Sequence, residues 1–131
     1  MREILFRGKR TDNGEWVYGS LLCFKGYSIH DTIWKNFIPV YSKTVGQYTG
    51  LTDLNGKKIF EGDIVRYSVI IMHTVVHEQI VKITFNKGSF CMEEMNGVSH
   101  PLFHSIDNTR LEVIGNIHDN PELLVEVEAE R

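Results

Sequence analysis

Ile64-Val65-Arg66-Tyr67-Ser68-Val69-Ile70-Ile71-Met72-His73-Thr74-Val75-Val76-His77-Glu78-Gln79-Ile80-Val81-Lys82-Ile83-Thr84-Phe85 is the stretch that decides the fold. It is crowded with Ile, Val and Thr, whose branching at Cβ suits a pleated surface better than a helix. It exceeds the roughly ten residues at which ordinary strands stop. It therefore reads as two strands, Asp63 to about Ile71 and Glu78 to Phe85, with a reversal between them. Asn86-Lys87-Gly88-Ser89 then turns the chain into Phe90-Cys91-Met92-Glu93, which Asn96-Gly97 breaks. Arg110 to Asn116 supplies the last strand.

Upstream, the first 24 residues form a hairpin about Thr11-Asp12-Asn13-Gly14, where Asn and Gly tolerate positive φ. Gly19, inside the returning run from Glu15 to Phe24, signals a bulge or a close backbone approach. Lys25-Gly26-Tyr27 turns the chain, residues 28–36 lack a period and read as a loop, and Phe37 to Tyr41 is a short strand. Pro39 puts that strand at a sheet edge. Thr52 to Lys57 is a tight turn in which Asp53 bonds the backbone ahead of it and Gly56 supplies positive φ. Near the C-terminus, Asn120 caps and Pro121 opens a short helix. The expectation is a mainly β protein. An N-terminal antiparallel hairpin or sheet (1–57) packs on an SH3-like small β-barrel (58–118), and a short helix with an acidic tail follows (119–131).

Composition narrows the class. The chain has 131 residues, 42% hydrophobic and 24% charged, which is globular material able to build a core without a disulfide staple. No run approaches the ~18 apolar residues of a membrane-spanning helix, and the N-terminus carries no apolar signal region. Two cysteines, Cys23 and Cys91, suit a reducing compartment. Up to Arg66, Lys and Arg outnumber Asp and Glu ten to seven, and beyond it they are outnumbered four to ten. A positive half and a negative half can steer a partner or a second copy of the chain, whereas the acidic total argues against a duplex-DNA binder.

Chemistry-bearing patterns are weak. His73 and His77 are four apart, as are His100 and His104. Two histidines so spaced on a straight strand lie ~13 Å apart and meet one ion only across a tight reversal. Asp53-Leu54-Asn55-Gly56 matches the middle of a calcium loop, but Leu51 and Gly62 then stand where ligands belong. Both cysteines fall in apolar strands, where a buried thiol is inert. Glu61 and Asp63 form a pair on one strand face, expected to be solvated. There is no nucleophile elbow and no phosphate-cradling glycine loop. The chain reads as non-enzymatic and without a cofactor, a metal-dependent enzyme being the most remote alternative. A single-strand nucleic-acid binder is the nearer one. Arg7, Lys9, Arg10, Trp16 and Tyr18 share one end of the first hairpin, and Trp34, Lys35 and Phe37 add a second aromatic-basic cluster. The bland placement puts Trp16 and Phe37 in the core and the cations in water.

Thr44-Val45-Gly46-Gln47-Tyr48-Thr49-Gly50-Leu51-Thr52-Asp53-Leu54-Asn55-Gly56-Lys57-Lys58-Ile59-Phe60-Glu61-Gly62-Asp63-Ile64-Val65 resembles the signature of the YopX-like family of phage and prophage proteins. The opening Arg2 to Gly8 and the closing Glu112 to Leu124 are similar to that family's ends. The resemblance implies a small β-rich protein encoded by bacteriophages or prophages, with no established activity, cofactor or catalytic residue. With the reducing compartment that the two cysteines suit, the expected location is the cytoplasm of a bacterial host. Physically, Gly50, Gly56 and Gly62 stand six apart where turns reverse the chain, which makes the segment a junction holding shape. The functional alternative is a binding surface of Gln47, Tyr48 and Asp63, joined by Arg7 and Trp16 if nucleic acid is bound. The expected partner is a protein or a second copy of this chain, with nucleic acid behind it and no membrane.

Overall fold

Met72 and His73 make the reversal inside the long β-branched stretch, both with positive φ (50° and 65°). Left-handed residues at both centres are the pattern of a two-residue hairpin, whose usual signal is Asn-Gly or Asp-Gly. That signal is missing here, so the returning strand begins at Thr74 rather than near Glu78. The computed structural model describes residues 3–102 and 109–124. The chain divides into two compact units, residues 1–50 and 51–131.

In the first unit β1 (Phe6–Lys9), β2 (Trp16–Cys23), β3 (Tyr27–Asp31) and β4 (Phe37–Val40) follow one another as antiparallel neighbours. The start of β5 (Gly46–Thr52) pairs on the other side of β1, with Gln47 opposite Phe6. Alternation sends Val17, Ile29, Ile38 and Val40 inward to a core on which Phe6, Leu21 and Val45 pack. A bridge between Arg10 and Val40, and a bond from Tyr41 N–H to the Lys9 carbonyl (2.9 Å), curl the sheet around that core. Pro39 does sit on the edge strand, and Gly14 does take positive φ in the first turn. The loop expected at residues 28–36 contains β3 instead. Its burial alternates, but one inward position is the polar Asp31, so no apolar period is visible.

Gly50 lies within β5 at a φ of 92°, so the strand continues through it instead of reversing. Gly56 and Gly62 do stand in turns with positive φ. The division between units falls at Gly50, ahead of the 57/58 boundary read from the sequence. The intervening turn is bonded into the second unit, with Leu54 N–H donating to the Leu111 carbonyl at 2.9 Å.

The second unit adds β6 (Lys58–Phe60), β7 (Asp63–Ile71), β8 (Thr74–Asn86), β9 (Ser89–Glu93), β10 (Ser99–Pro101) and β11 (Thr109–Asn116). Its five-stranded sheet has the order β10-β9-β8-β7-β11, open at both ends rather than closed as the expected barrel; the mainly β class holds. Two bulges adjust it. Val76 is extra on β8 between the pairs Val69–His77 and Ile70–Val75, and Ile114 is extra on β11 between Val113–Val65 and Gly115–Ile64. On one face Val65, Val81, Ile83 and Met92 join Ile59 in the core, with Leu51, Leu102, Leu111 and Val113 packed on it. On the other face Arg66 reaches Glu78 at 3.0 Å and Glu112 at 2.6 Å across three strands. A single helical turn occupies residues 122–124 at the C-terminal end. The Asn120 side chain turns away from it and accepts the Asn116 N–H at 3.2 Å, rather than capping the helix. The remainder of the acidic tail lies outside the described residues.

Candidate functional site

Tyr48, Asp53 and Asp63 of the junction are buried. Asp63 is 2% exposed, and its Oδ2 accepts the Phe60 N–H at 2.7 Å, closing the turn that launches β7. The expected solvated Glu61–Asp63 pair is therefore not formed, because Glu61 stands in the turn and Asp63 beneath it. Tyr48 is buried in the first unit, its N–H bonded to the Leu5 carbonyl, and Gln47 is half-buried beside it in β5. Asp53 is also buried. One carboxylate oxygen accepts the N–H groups of Asn55 and Lys57 at 2.9 Å, and the other accepts that of Val113 at 2.9 Å. Burial pushes its carboxyl up, but the Val113, Lys57 and Asn55 donors, with the Lys57 charge, outweigh burial and hold it below the usual carboxylate range.

Arg7 and Trp16 meet on the first hairpin. The register Arg7–Tyr18 and Lys9–Trp16 puts these four on the face opposite Val17. The Arg7 guanidinium lies 4.6 Å and the Lys9 ammonium 5.5 Å from the Trp16 ring centre, within cation–π range. The bland placement survives only in part, since Lys35 is exposed while Lys9 and Arg10 are half-buried. Trp16 is outside the Val17 core, Arg7 is buried rather than solvated, and Phe37 is exposed beside His30.

The histidines regroup. His73 stands in the reversal and His77 on β8 opposite Val69, while His104 lies outside the described residues. Among the described residues no group of three side chains is placed to hold a metal ion. Instead, His77 and His100 line one cleft of about 480 Å³ on the core face of the five-stranded sheet. Val69, Val81 and Met92 supply its apolar lining together with Tyr67 and Pro101. Gln79, whose Oε1 is 3.1 Å from His77 Nε2, and Glu94, paired with His100 Nε2, supply its polar atoms. The Tyr67 and His77 rings meet edge to face at 6.5 Å. Sequence reasoning by fours missed this grouping. Counting by twos from Ile83 through Val81 and Gln79 reaches His77 on the same face, and Met92 pairs with both Ile83 and His100.

Apolar side chains also stand in solvent. Asp31 Oδ1 accepts the N–H groups of Ile33 (2.8 Å) and Trp34 (2.6 Å), while Asp31 N–H donates to the Asn36 carbonyl and Lys35 N–H to the Asp31 carbonyl. This fastened loop holds Ile33 77% and Trp34 69% exposed. At the tip of the β7–β8 hairpin Met72 is 90% exposed, with Ile71, Val75 and Val76 exposed around it. Cys23, expected buried, is exposed at the end of β2; Cys91 is buried.

A family model described as YopX protein matches residues 5–125. The chain belongs to the YopX protein family. The match spans the junction, the closing end and, of the opening end, Leu5 to Gly8. A solved structure, that of protein EF1440 from Enterococcus faecalis, is 25% identical with a TM-score of 0.57, covering 95% of this chain and 99% of its own. Among curated proteins nothing matches. No described helix of this YopX-family chain is long and apolar enough to cross a membrane.

Proposed function

We propose that this YopX-family protein is a non-enzymatic binding module, an accessory protein of a bacteriophage or prophage that acts through protein contacts in the cytoplasm of a bacterial host. The observation that carries the reading is the Asp31-fastened loop. Its backbone groups are tied within the loop, while two large apolar side chains face water. A preformed loop that presents Trp loses little freedom on binding, and buried Trp is a frequent source of interface energy. The exposed tip of the β7–β8 hairpin offers a second apolar contact.

The test is recovery of the tagged protein from induced host cells, identification of what accompanies it, and rebinding of that partner in purified form. The variant Ile33→Ala/Trp34→Ala is expected to weaken rebinding at least tenfold. Undiminished rebinding would sink the reading. A single nucleic-acid strand is the second reading, favoured by the Arg7, Lys9 and Trp16 face. It requires salt-sensitive oligonucleotide binding that Trp16→Ala abolishes, and no binding at low salt removes it.

A further inference from the structure

The exposed Trp34 loop offers a large aromatic ring, and the His77–His100 cleft offers a lining of apolar side chains with a few polar atoms. The cleft's 480 Å³ falls within the roughly 300–1,000 Å³ of sites that enclose small ligands. Its apolar lining suits an aromatic ring, and the Gln79 and Glu94 oxygens, each beside a histidine, are acceptors that an indole N–H can share. Trp34 supplies such a ring. The loop that presents it is held even at the cost of a left-handed Lys35 (φ 61°), which disfavours any side chain with a Cβ. Lys35 stands beside Trp34, and Glu94 stands in the cleft.

The same polarity extends to the two units. Residues 1–50, which carry the loop, hold seven Lys and Arg against four Asp and Glu, and residues 51–131, which carry the cleft, hold seven against thirteen. Opposite net charges on the two units steer one copy's first unit toward another copy's second.

We propose that the Trp34 loop of one molecule seats in the His77–His100 cleft of a second copy of this chain. The contact is heterologous, since loop meets cleft rather than itself, and the docked pair retains one free loop and one free cleft for further copies. The inference rests on the protein-contact reading and names its partner.

Sedimentation velocity across a concentration series tests it. Wild type is expected to associate with rising concentration, more weakly at high salt. Trp34→Ala keeps the cleft and loses the ring, while His77→Trp, at an exposed position, fills the mouth of the cleft and keeps the loop. Each variant alone is expected to remain monomeric at concentrations at least tenfold above the wild-type midpoint. Mixed, they are expected to form a one-to-one pair and nothing larger, since only one loop and one cleft remain. That result distinguishes docking from general loss of structure.

A wild type monomeric at every concentration overturns the proposal, as does a Trp34→Ala variant that associates normally or a mixture that stays monomeric. If self-association fails but Ile33→Ala/Trp34→Ala still abolishes rebinding of a purified host or phage protein, self-docking is wrong and the protein-contact reading stands. If both fail, both readings fall.

Discussion

Asp53→Ala is expected to lower the unfolding free energy by about 3 kcal/mol, the scale of removing a buried charged acceptor and leaving its donors unsatisfied. Three N–H groups depend on this carboxylate. Those of Asn55 and Lys57 shape the turn itself, and that of Val113 comes from β11. Alanine removes the buried carboxylate that all three share. Asp53→Asn separates the parts, because it keeps one acceptor oxygen and replaces the other with an amide NH2 facing a donor. Its loss should be smaller, measured by urea denaturation at pH 7. The pH dependence follows from the lowered carboxyl pKa. The unfolded chain binds this proton more readily, so the contribution of Asp53 is fully present above the unfolded value of about 3.9 and is lost as pH falls through the lower folded value. Wild type should therefore lose stability below about pH 4 more steeply than Asp53→Asn. A gap between the two that is unchanged down to acid unfolding would show that the carboxylate charge is not what the backbone donors require.

What the sequence discloses depends on how far apart the determining groups lie. The turn role of Asp53 is legible because its partners Asn55 and Lys57 are neighbours, whereas its bond to Val113 spans sixty positions and depends on where β11 docks. The turns at Asn13-Gly14 and Lys87-Gly88 are legible because residues tolerant of positive φ mark them. The Met72-His73 turn carries no such mark, and the β-branched residues on both sides impose it. Strand β3 is hidden because Asp31, a residue that favours turns, fills an inward position where the period calls for an apolar one. The same substitution explains Trp34. Its aromatic-basic neighbourhood is visible in the sequence, but its exposure follows from two bonds to the Asp31 carboxylate. The cleft is half-legible. Alternation along β8 places His77 and Gln79, while His100 joins them only because the chain pairs again beyond Asn96-Gly97, where a strand break was all the sequence signalled.

Gly19→Ala is expected to cost about 3 kcal/mol, the upper range for forcing atoms into a packed site. The φ of 159° is itself one that a residue with a Cβ rarely adopts. The larger obstacle is the neighbouring strand. A Cβ at this position would lie 1.8 Å from the His30 carbonyl oxygen and 2.8 Å from its carbon, main-chain atoms with no rotamer to retreat to. Relief requires β2 and β3 to part where Gly19 pairs with Asp31 and where Thr32 N–H donates to the Tyr18 carbonyl at 3.1 Å. That is the root of the Trp34 loop, so the substitution should weaken association as well as stability. Gly14→Ala is the matched control. Its φ is 75°, but no atom lies within 4 Å of the added Cβ, so it should cost only the roughly 1–2 kcal/mol of a left-handed residue. Urea melts of the two variants decide the matter: a loss at Gly19 no larger than at Gly14 would mean that the strands yield freely, and that the loop is not anchored by their close approach.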